Sequence, residues 1–411
     1  MRVWGNLRLE ARVEIRFWFD VACPWVALAA GRVVTLAEET GAVLRFCPVD
    51  QGHLFARAGF AGDPEAAFPE RRRQMRRIDR LRCAERLGIA LADRATPPRA
   101  GSRVMALIAG APPDRRADMV ALAVRRVWVD GDDPDAIVDE VAAAGRVDPA
   151  LADDPASRDA LIATTEEALK HEVFGVPSFT VGGQTWFGSD RLDRVADAVR
   201  GACTPVLRRA PTGGEGRSIS FFHDFSSPFS YLAATWVDAV AASAGTQVAW
   251  TPILVGALFR DVGTPMVPVA TFPAAKQRWY LRDLEEQAER LGVPFRWPRH
   301  FPYRSITALR VSIAEPRAIA PLYRAGWADD RNIGDDAVLR EVLAEAGLDG
   351  AVEAAQAPAV KAALIANGER ALAVGVCGVP SFQVEARVLI WGNDRREHVE
   401  AALAGWVPER G

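Results

Sequence analysis

The stretches "FDVACPWVALAA" (19–30) and "HDFSSPFSYLAA" (223–234) share the pattern Asp-x-x-(Cys/Ser)-Pro-aromatic, followed by Leu-Ala-Ala. Cys23 in the first stretch occupies the place of Ser227 in the second, 204 residues later. In both, the pattern follows a short run rich in aromatic and β-branched residues, which is typical of a buried strand. The pattern therefore predicts a strand, a tight turn and a helix that begins at Pro24 or Pro228, where a missing N–H is harmless.

The same spacing recurs along the rest of the chain. Pro48 matches Pro252, and "ERLGI" at 85–89 matches "ERLGV" at 289–293. "GVPSF" occurs at 175–179 and again at 378–382, an offset of 203. The offset returns to 204 at Gly392, so one extra residue lies between Val384 and Gly392. A period of this length is too long for a solenoid repeat and predicts a duplicated domain.

The segment "CTPVLRRAPTGGEGRS" (203–218) is rich in proline, glycine and charge and offers little to bury. We therefore predict a first domain over 1–203, a linker over 204–217 and a second domain over 218–411. Each domain is expected to contain a strand, a helix, a second parallel strand, a long helical block, a hairpin and a last helix. The hairpins are predicted at 177–188 and 380–392, and the last helices near Ser189 and Asn393, both common N-cap residues.

Composition narrows the function classes. The 411 residues carry a formal charge of -3 and are 49% apolar, which is typical of a globular protein and gives no reason to expect a nucleic-acid partner. No apolar run is long enough for a transmembrane helix, and the N-terminus lacks the apolar core of a signal peptide, so we expect no membrane partner. The five scattered cysteines form no Cys-x-x-Cys, which favours a reduced, cytoplasmic protein.

Two further patterns have simple interpretations. The basic run "RRRQMRR" (71–77) lacks interleaved aromatic residues, so a solvated helix face is a better interpretation than a nucleic-acid surface. The five histidines show no metal-ligand spacing, and no metal is expected.

The chain resembles the thioredoxin-fold family that contains DsbA-like oxidoreductases, kappa-class glutathione transferases and 2-hydroxychromene-2-carboxylate isomerases. The second half carries the closest resemblance, in "DFSSPFSYLAA", "TPILVGALFRDVG", "FPAAKQRWYLRDLEEQAERLGVPF", "GVCGVPSF" and "WGNDR". The first half keeps "FGVPSF" and "FGSDR", but its "DVACPWV" is more similar to the DsbA side, with Val26 in place of the second cysteine. The resemblance implies an α/β fold of two tandem thioredoxin-like domains, each with a large helical insertion.

The resemblance also implies a glutathione site and its residues. Ser227 matches the family's catalytic serine, which donates a hydrogen bond to the glutathione sulfur. In the first half, Cys23 occupies the position of this serine. Further matches to the family's glutathione-binding positions are the cis-proline loops, the polar pairs that follow them and one basic residue: Val176, Pro177, Ser189, Asp190, Arg260, Val379, Pro380, Asn393 and Asp394. The family's Gly-Asn is replaced here by Gly263-Thr264, and that asparagine lies near the substrate in the isomerases.

Several functions remain open at this point. A hydroxyl at a helix start, without a base, suits solvation of a borrowed thiolate, which favours glutathione-dependent isomerisation of an electrophilic or aromatic small molecule, or kappa-type conjugation. Alternatively, Cys23 could form mixed disulfides with glutathione in a DsbA-type exchange. In the simplest interpretation, Ser227 is only an N-cap, Cys23 is an inert thiol, Asp190 and Asp394 are first-turn acids and the chain is a non-enzymatic scaffold. Because such isomerases and transferases are commonly homodimers, we expect this monomer to be a pseudo-dimer.

Overall fold

Each repeat forms its own four-stranded sheet. A computed structural model describes residues 12–94, 98, 100–205 and 216–410. The eight strands are β1 (Glu14–Phe19), β2 (Val43–Pro48), β3 (Ser178–Val181), β4 (Gln184–Phe187), β5 (Ile219–His223), β6 (Val248–Pro252), β7 (Ser381–Val384) and β8 (Val388–Trp391). The strand orders are β2-β1-β3-β4 and β6-β5-β7-β8, so the two sheets have the same topology.

The pairing pattern confirms the predicted α/β fold. β1 pairs in parallel with β2, and β5 with β6, while the hairpins β3–β4 and β7–β8 add two antiparallel strands to each sheet. Residues 182 and 183, both glycines with positive φ, form the first hairpin turn. The second turn uses the three residues 385–387 in place of two, which accounts for the predicted extra residue.

Helices make up most of the rest of each repeat. In chain order they are α1 (Pro24–Ala27), α2 (Ala30–Thr40), α3 (Gln51–Ala58), α4 (Glu70–Arg86), α5 (Arg103–Gly110), α6 (Arg116–Arg125), α7 (Val138–Gly145), α8 (Pro155–Lys170), α9 (Leu192–Arg200), α10 (Pro228–Ala234), α11 (Val237–Ser243), α12 (Val255–Val262), α13 (Ala274–Leu291), α14 (Ile306–Ala314), α15 (Ile319–Trp327), α16 (Asp336–Glu345), α17 (Ala351–Ala354), α18 (Pro358–Val374) and α19 (Arg396–Leu403). Within the described ranges, none of these helices is both long and apolar enough to cross a membrane.

Equivalent aromatic pairs lie at the centre of both sheets. Phe17 on β1 stacks on Phe179 on β3 with ring centroids 5.3 Å apart, and Phe221 stacks on Phe382 at 5.1 Å. All four side chains are fully buried. The duplicated pattern of aromatic residues thus produces the same cross-strand packing twice.

The chain forms two compact units. Unit 1 comprises Met1–Pro64 and Cys83–Cys203, and unit 2 comprises Glu65–Arg82 and Thr204–Gly411. The segment 65–82 of the first repeat thus belongs to the second unit, an exchange that the repeat pattern did not indicate. Most of the predicted linker, 206–215, lies outside the described residues.

The exchanged segment corrects the interpretation of its basic run as a solvated face. Arg71 donates to the Leu372 carbonyl at 2.6 Å, and Arg72 is only half-exposed. Asp79 accepts two hydrogen bonds of 2.8 Å from the guanidinium of Arg395. Arg73, in contrast, is exposed, as expected of a solvated face. The Leu372 carbonyl and the Arg395 guanidinium thus hold one side of this helix.

The structure also corrects two predicted helix boundaries. The single helix expected after each Cys/Ser-Pro turn is divided in two, and Thr235 at the second break donates its hydroxyl to the Leu232 carbonyl at 2.7 Å. Neither Ser189 nor Asn393 caps a helix through its side chain. Each instead begins a 3-10 turn after a glycine, and the regular helices α9 and α19 begin three residues later.

Candidate active site

A buried aspartate fixes the turn after the first strand of each unit. Asp20 accepts hydrogen bonds from the backbone N–H groups of Ala22 (2.9 Å), Gln51 (3.0 Å) and Gly101 (3.1 Å). Complete burial raises the pKa of Asp20 to about 6, although these three donors favour the carboxylate. Its carboxyl group thereby ties the turn to two other segments of unit 1.

Asp224 has the same position in unit 2. Its carboxylate accepts from the N–H groups of Ser226 (2.9 Å) and Val255 (2.8 Å), and from the Ser305 hydroxyl. Burial raises the pKa of Asp224, as it does for Asp20. The two aspartates hold the backbone on which Cys23 and Ser227 stand.

Cys23 and Ser227 occupy equivalent N-cap positions. The Cys23 Sγ lies 3.2 Å from the carbonyl oxygen of Val176, and the Ser227 Oγ lies 3.3 Å from that of Val379. Ser227 also accepts a hydrogen bond of 3.2 Å from the N–H of Ser230, so its side chain caps α10. Cys23 makes no side-chain cap. The two side chains are 5% and 8% exposed, so each contacts solvent only through a small area.

The loops opposite Cys23 and Ser227 have the predicted cis prolines. The Val176–Pro177 and Val379–Pro380 peptide bonds are both cis. Behind each loop, the next serine donates back to a glycine carbonyl at 2.8 Å: Ser178 to Gly175 and Ser381 to Gly378. The structure therefore brings Val176 and Pro177 together with Cys23, and Val379 and Pro380 together with Ser227.

Two tryptophans, which sequence reasoning missed, hold these turns from the other side. The Trp128 Nε1–H donates to the Val21 carbonyl at 2.7 Å, and the Trp327 Nε1–H donates to the Phe225 carbonyl at 2.8 Å. Both tryptophans are fully buried. They lie 199 residues apart, so a search at the 204 spacing does not pair them.

The predicted polar contacts at the far end of the second site are only partly available to a ligand. The side-chain amide of Asn393 is buried. It accepts a hydrogen bond from Trp236 Nε1 at 2.9 Å and donates one to Gln287 at 2.8 Å. Asp394 is exposed, and its carboxylate lies 3.5 Å from the Arg395 guanidinium. Asn393 is thus buried among unit 2 side chains, and Asp394 lies nearer to solvent.

Arg260, the predicted basic residue of the glutathione site, points to solvent and pairs with its own neighbour. Its side chain is 74% exposed and forms a 2.9 Å ion pair with its neighbour Asp261. Thr264, in contrast, is buried, and its hydroxyl has no hydrogen-bond partner within the described part of the chain. The preceding Gly263 lies close to Pro69, since a Cβ on this glycine would be 3.7 Å from the proline ring. The loop at 263–264 therefore lies beside the start of the exchanged segment.

In unit 1 the corresponding polar pair is Ser189 and Asp190. Ser189 is buried, and its carbonyl accepts from Arg32 at 2.8 Å. Asp190 is exposed and pairs with Arg191 at 2.9 Å. The far ends of the two sites thus share a buried polar residue followed by an exposed acid.

His223 is the histidine closest in sequence to Ser227, and it does not act on it. Its Nδ1 bonds to the Tyr323 hydroxyl at 2.8 Å, and its Nε2 is buried without a partner in the described residues. Complete burial lowers the pKa of His223 to about 3. A neutral ring held by Tyr323 leaves Ser227 as a hydrogen-bonding group, because a serine needs a base to become a nucleophile.

Comparison with known proteins agrees with this duplicated architecture. The family described as DSBA-like thioredoxin domain matches the chain twice, over residues 14–200 and 218–404. The chain therefore belongs to the DSBA-like thioredoxin domain family, in which it is a tandem member.

The similar curated proteins are isomerases. The 2-hydroxychromene-2-carboxylate isomerase of Pseudomonas sp. (strain C18) is 29% identical over 201 residues, which cover 46% of this chain and 92% of the relative. The enzyme of the same name from Sphingobium xenophagum is 28% identical over 200 residues, with 46% and 98% covered. A solved structure of 2-hydroxychromene-2-carboxylate isomerase aligns at 25% identity with a TM-score of 0.39 and covers 46% of this chain and 94% of that chain.

Proposed function

We propose that this protein is a glutathione-dependent isomerase, that Ser227 in unit 2 is its catalytic residue, and that its substrate is an aromatic carboxylate with a conjugated double bond. The observation that supports this most directly is the serine hydroxyl at a helix start opposite a cis-proline loop. The names of the relatives support the reaction class and a carboxylate-bearing aromatic substrate. Glutathione, when bound, would supply a thiolate able to add reversibly to the double bond.

The residues present fit the thiol end of glutathione. Ser227 Oγ accepts the N–H of Ser230, so its own O–H is directed toward the Val379 side. The contact to the Val379 carbonyl, at 3.3 Å, lies beyond the usual distance for a hydroxyl donor. An anionic sulfur in the site is a stronger acceptor than this carbonyl. Ser227 would therefore redirect its O–H to the sulfur and stabilise it by about 1.5–3 kcal/mol.

At the other end, Asp394 is the better candidate for the ammonium group of glutathione. Asp394 is exposed, whereas Asn393 is buried. We therefore assign Asp394 to ligand binding and Asn393 to the support of its turn. In this proposal the ion-paired Arg260 does not contact the ligand.

Kinetics can test the proposal. We expect isomerisation of 2-hydroxychromene-2-carboxylate to require added glutathione. Loss of one charge-assisted hydrogen bond in Ser227→Ala should lower kcat/KM by about 10- to 100-fold. Cys23→Ser, in the other unit, should retain wild-type kcat/KM within about twofold. An isomerase rate independent of glutathione, or one abolished by Cys23→Ser, would contradict the assignment.

A second candidate function is thiol–disulfide exchange at Cys23. The observation that favours it is the Cys23 thiol at the N-cap of α1 opposite the cis-proline loop, in the position that Ser227 has in unit 2. Attack on glutathione disulfide would form a Cys23–glutathione mixed disulfide and release one glutathione thiolate, so oxidation and reduction balance. With Cys203→Ser as the background, because Cys203 is an exposed free thiol, mass spectrometry after incubation with glutathione disulfide should show one adduct, and none when Cys23→Ser is added.

We also propose that one chain acts as a pseudo-dimer. One chain already contains two sheets of the same topology, so it holds both copies of the fold that a homodimer would supply. Light scattering should then give the 44.6 kDa of a single chain. The mass of two chains would contradict this state.

A further inference from the structure

Helix α15 binds two consecutive carbonyls of the turn that carries Ser227. Tyr323 and Trp327 lie four residues apart on α15, and therefore on the same face of the helix. The Trp327 Nε1–H donates to the Phe225 carbonyl. The Tyr323 hydroxyl donates to the preceding carbonyl, that of Asp224, at 3.4 Å. Because the Asp224 carbonyl also accepts the N–H of Ser227 at 3.1 Å, a single carbonyl links Tyr323 to Ser227.

Ring packing reinforces this link. The Tyr323 ring centroid lies 4.6 Å from that of Phe225, the residue after Asp224, and 5.8 Å from that of His223. His223 and Phe225 are fully buried, and Tyr323 is 2% exposed. Water is therefore not at hand to replace a hydrogen bond that is lost here, and the protein alone determines where the Tyr323 hydroxyl points.

His223 determines the direction of the Tyr323 O–H. The His223 Nδ1 lies 2.8 Å from the Tyr323 oxygen. A carbonyl oxygen can only accept, so the hydroxyl donates to Asp224 and its oxygen accepts from a protonated Nδ1. In the reverse arrangement the proton would lie on Nε2, which is buried without a partner in the described residues. A buried N–H without an acceptor is costly, which favours the proton on Nδ1.

Unit 1 has the tryptophan of this arrangement but not the histidine. Trp128 donates to the Val21 carbonyl, as Trp327 does to that of Phe225. The place of His223 is taken by Phe19, which is fully buried and has no hydrogen-bonding group. The histidine donor is therefore confined to the unit whose central group is a hydroxyl. A hydroxyl that stabilises another molecule's sulfur must be aimed, because a hydrogen bond weakens steeply when it is misaligned.

We propose that Tyr323, oriented by His223, is a positioning residue that aims the Ser227 hydroxyl at the sulfur of bound glutathione. This inference rests on the proposed function, because it concerns the same serine and the same ligand. Tyr323 contacts neither the ligand nor the Ser227 side chain in this account. It holds the Asp224 carbonyl, which in turn holds the N–H of Ser227.

The thiol pKa of bound glutathione reports how well Ser227 is aimed. It is obtained from the ultraviolet absorbance of the thiolate in the saturated complex as a function of pH. Ser227→Ala should raise this pKa by about 1–2, the equivalent of one charge-assisted hydrogen bond. Tyr323→Phe, which removes only the hydroxyl, should raise it by about 0.5–1. Neither change should alter the Kd of S-methylglutathione, which has no ionisable thiol, by more than about twofold.

A double variant separates positioning from a purely structural role. If Tyr323 acts through the Ser227 hydroxyl, its own hydroxyl has no further effect once that of Ser227 is absent. Tyr323→Phe combined with Ser227→Ala should therefore match the thiol pKa of Ser227→Ala to within about 0.3. His223→Phe should cause a smaller rise than Tyr323→Phe, because the Tyr323 hydroxyl remains but is no longer directed. It provides an independent test if Tyr323→Phe does not fold.

Tyr303→Phe is the matched control. Tyr303 is buried in the same unit, and its hydroxyl also donates to a backbone carbonyl, that of Gly326 on α15. Gly326 lies outside the turn of Ser227. This variant should lose thermal stability as Tyr323→Phe does, while the thiol pKa of bound glutathione stays at the wild-type value. Thermal melts of every variant verify that it is folded.

Three outcomes would overturn the inference. An unchanged thiol pKa in both Tyr323→Phe and His223→Phe would show that neither residue aims Ser227. A further rise of the full single-variant size in the double variant would make Tyr323 independent of Ser227. Nitrogen NMR of the ligand-free protein should find the His223 proton on Nδ1, and a proton on Nε2 would remove its directing role. Failure of glutathione to bind the wild type would instead contradict the proposed function, and the NMR measurement, which needs no ligand, distinguishes the two failures.

Discussion

The Cys23 and Ser227 sites share a backbone framework and differ in the groups that do chemistry. In both, a buried aspartate accepts N–H groups of the turn and a tryptophan N–H holds a carbonyl of the same turn. In both, the key side chain faces the carbonyl before a cis proline, at 3.2 and 3.3 Å. Duplication has therefore kept the supports of the site while the sulfur or oxygen atom at its centre changed.

The differences lie directly around that atom. Ser227 caps its helix through Ser230, whereas Cys23 makes no side-chain cap. The strand residue Phe19 of unit 1 corresponds to His223 in unit 2, where Tyr323 binds the ring. These differences can be tested one residue at a time.

The largest expected effect is on the acid sensitivity of unit 2. The pKa of His223 is about 3 in the fold, so the unfolded chain binds more protons than the folded one between that value and the ordinary histidine pKa. The free energy of unfolding is therefore unaffected by His223 above about pH 6.5, and it decreases as the pH falls below that value. Between pH 7 and pH 4 the wild type should lose about 3 kcal/mol of unfolding free energy from this residue.

His223→Phe, which installs the residue of unit 1, should remove that loss. Denaturant unfolding at pH 7 and pH 4 measures it, and the exposed His300→Gln serves as the control. Equal acid sensitivity of His223→Phe and wild type would show that the ring is not kept neutral by burial.

Asp20 should give the free energy of unfolding a pH dependence of opposite sign to that of His223. Its pKa is raised to about 6, so the fold binds its proton more tightly than the unfolded chain does. Its stabilising contribution is complete below about pH 4 and is lost as the pH rises through about 6. The destabilisation caused by Asp20→Asn should therefore be about 2–3 kcal/mol smaller at pH 7 than at pH 4.

Urea unfolding of the wild type and Asp20→Asn at the two pH values provides this difference. Asp114→Asn is a suitable control because the Asp114 side chain is 74% exposed. A destabilisation that grows with pH would contradict the raised pKa of Asp20.

The smallest effects concern the two tryptophans. Trp128→Phe and Trp327→Phe each leave a buried turn carbonyl without its donor, at a cost of about 1–2 kcal/mol of unfolding free energy. The donor distances are 2.7 and 2.8 Å, so the two losses should be similar. Thermal unfolding of both variants measures this loss. A loss of stability in only one variant would show that the two tryptophan hydrogen bonds contribute unequally to the free energy of unfolding.

The repeat, the fold class and the placement of the central residues could be predicted because they depend on local pattern. The Asp-x-x-(Cys/Ser)-Pro turn, the glycine hairpin turn and the "GVPSF" loops are short motifs whose conformation their own residues determine. A strand followed by such a turn and a proline leads to a helix start in either repeat. The cis prolines opposite Cys23 and Ser227 were expected from the family resemblance and not from local pattern.

What could not be predicted depends on partners distant in sequence. Trp128 and Trp327 reach the turns from helical blocks of unequal length, so the repeat offset conceals their equivalence. Asn393 resembled an N-cap, but Trp236 and Gln287 compete for its amide. Arg72 belonged to a basic run that pattern alone assigns to solvent, and only tertiary packing shows that its segment joins the second unit.

The most direct test of the difference between the two sites is a calorimetric titration of glutathione into wild-type protein, Ser227→Ala and Cys23→Ser. We predict that wild type and Cys23→Ser bind with the same affinity, and that Ser227→Ala binds at least about tenfold more weakly through loss of the hydrogen bond to sulfur. Absence of binding heat in the wild type, or a loss of binding in Cys23→Ser with none in Ser227→Ala, would contradict the assignment of the glutathione site to unit 2.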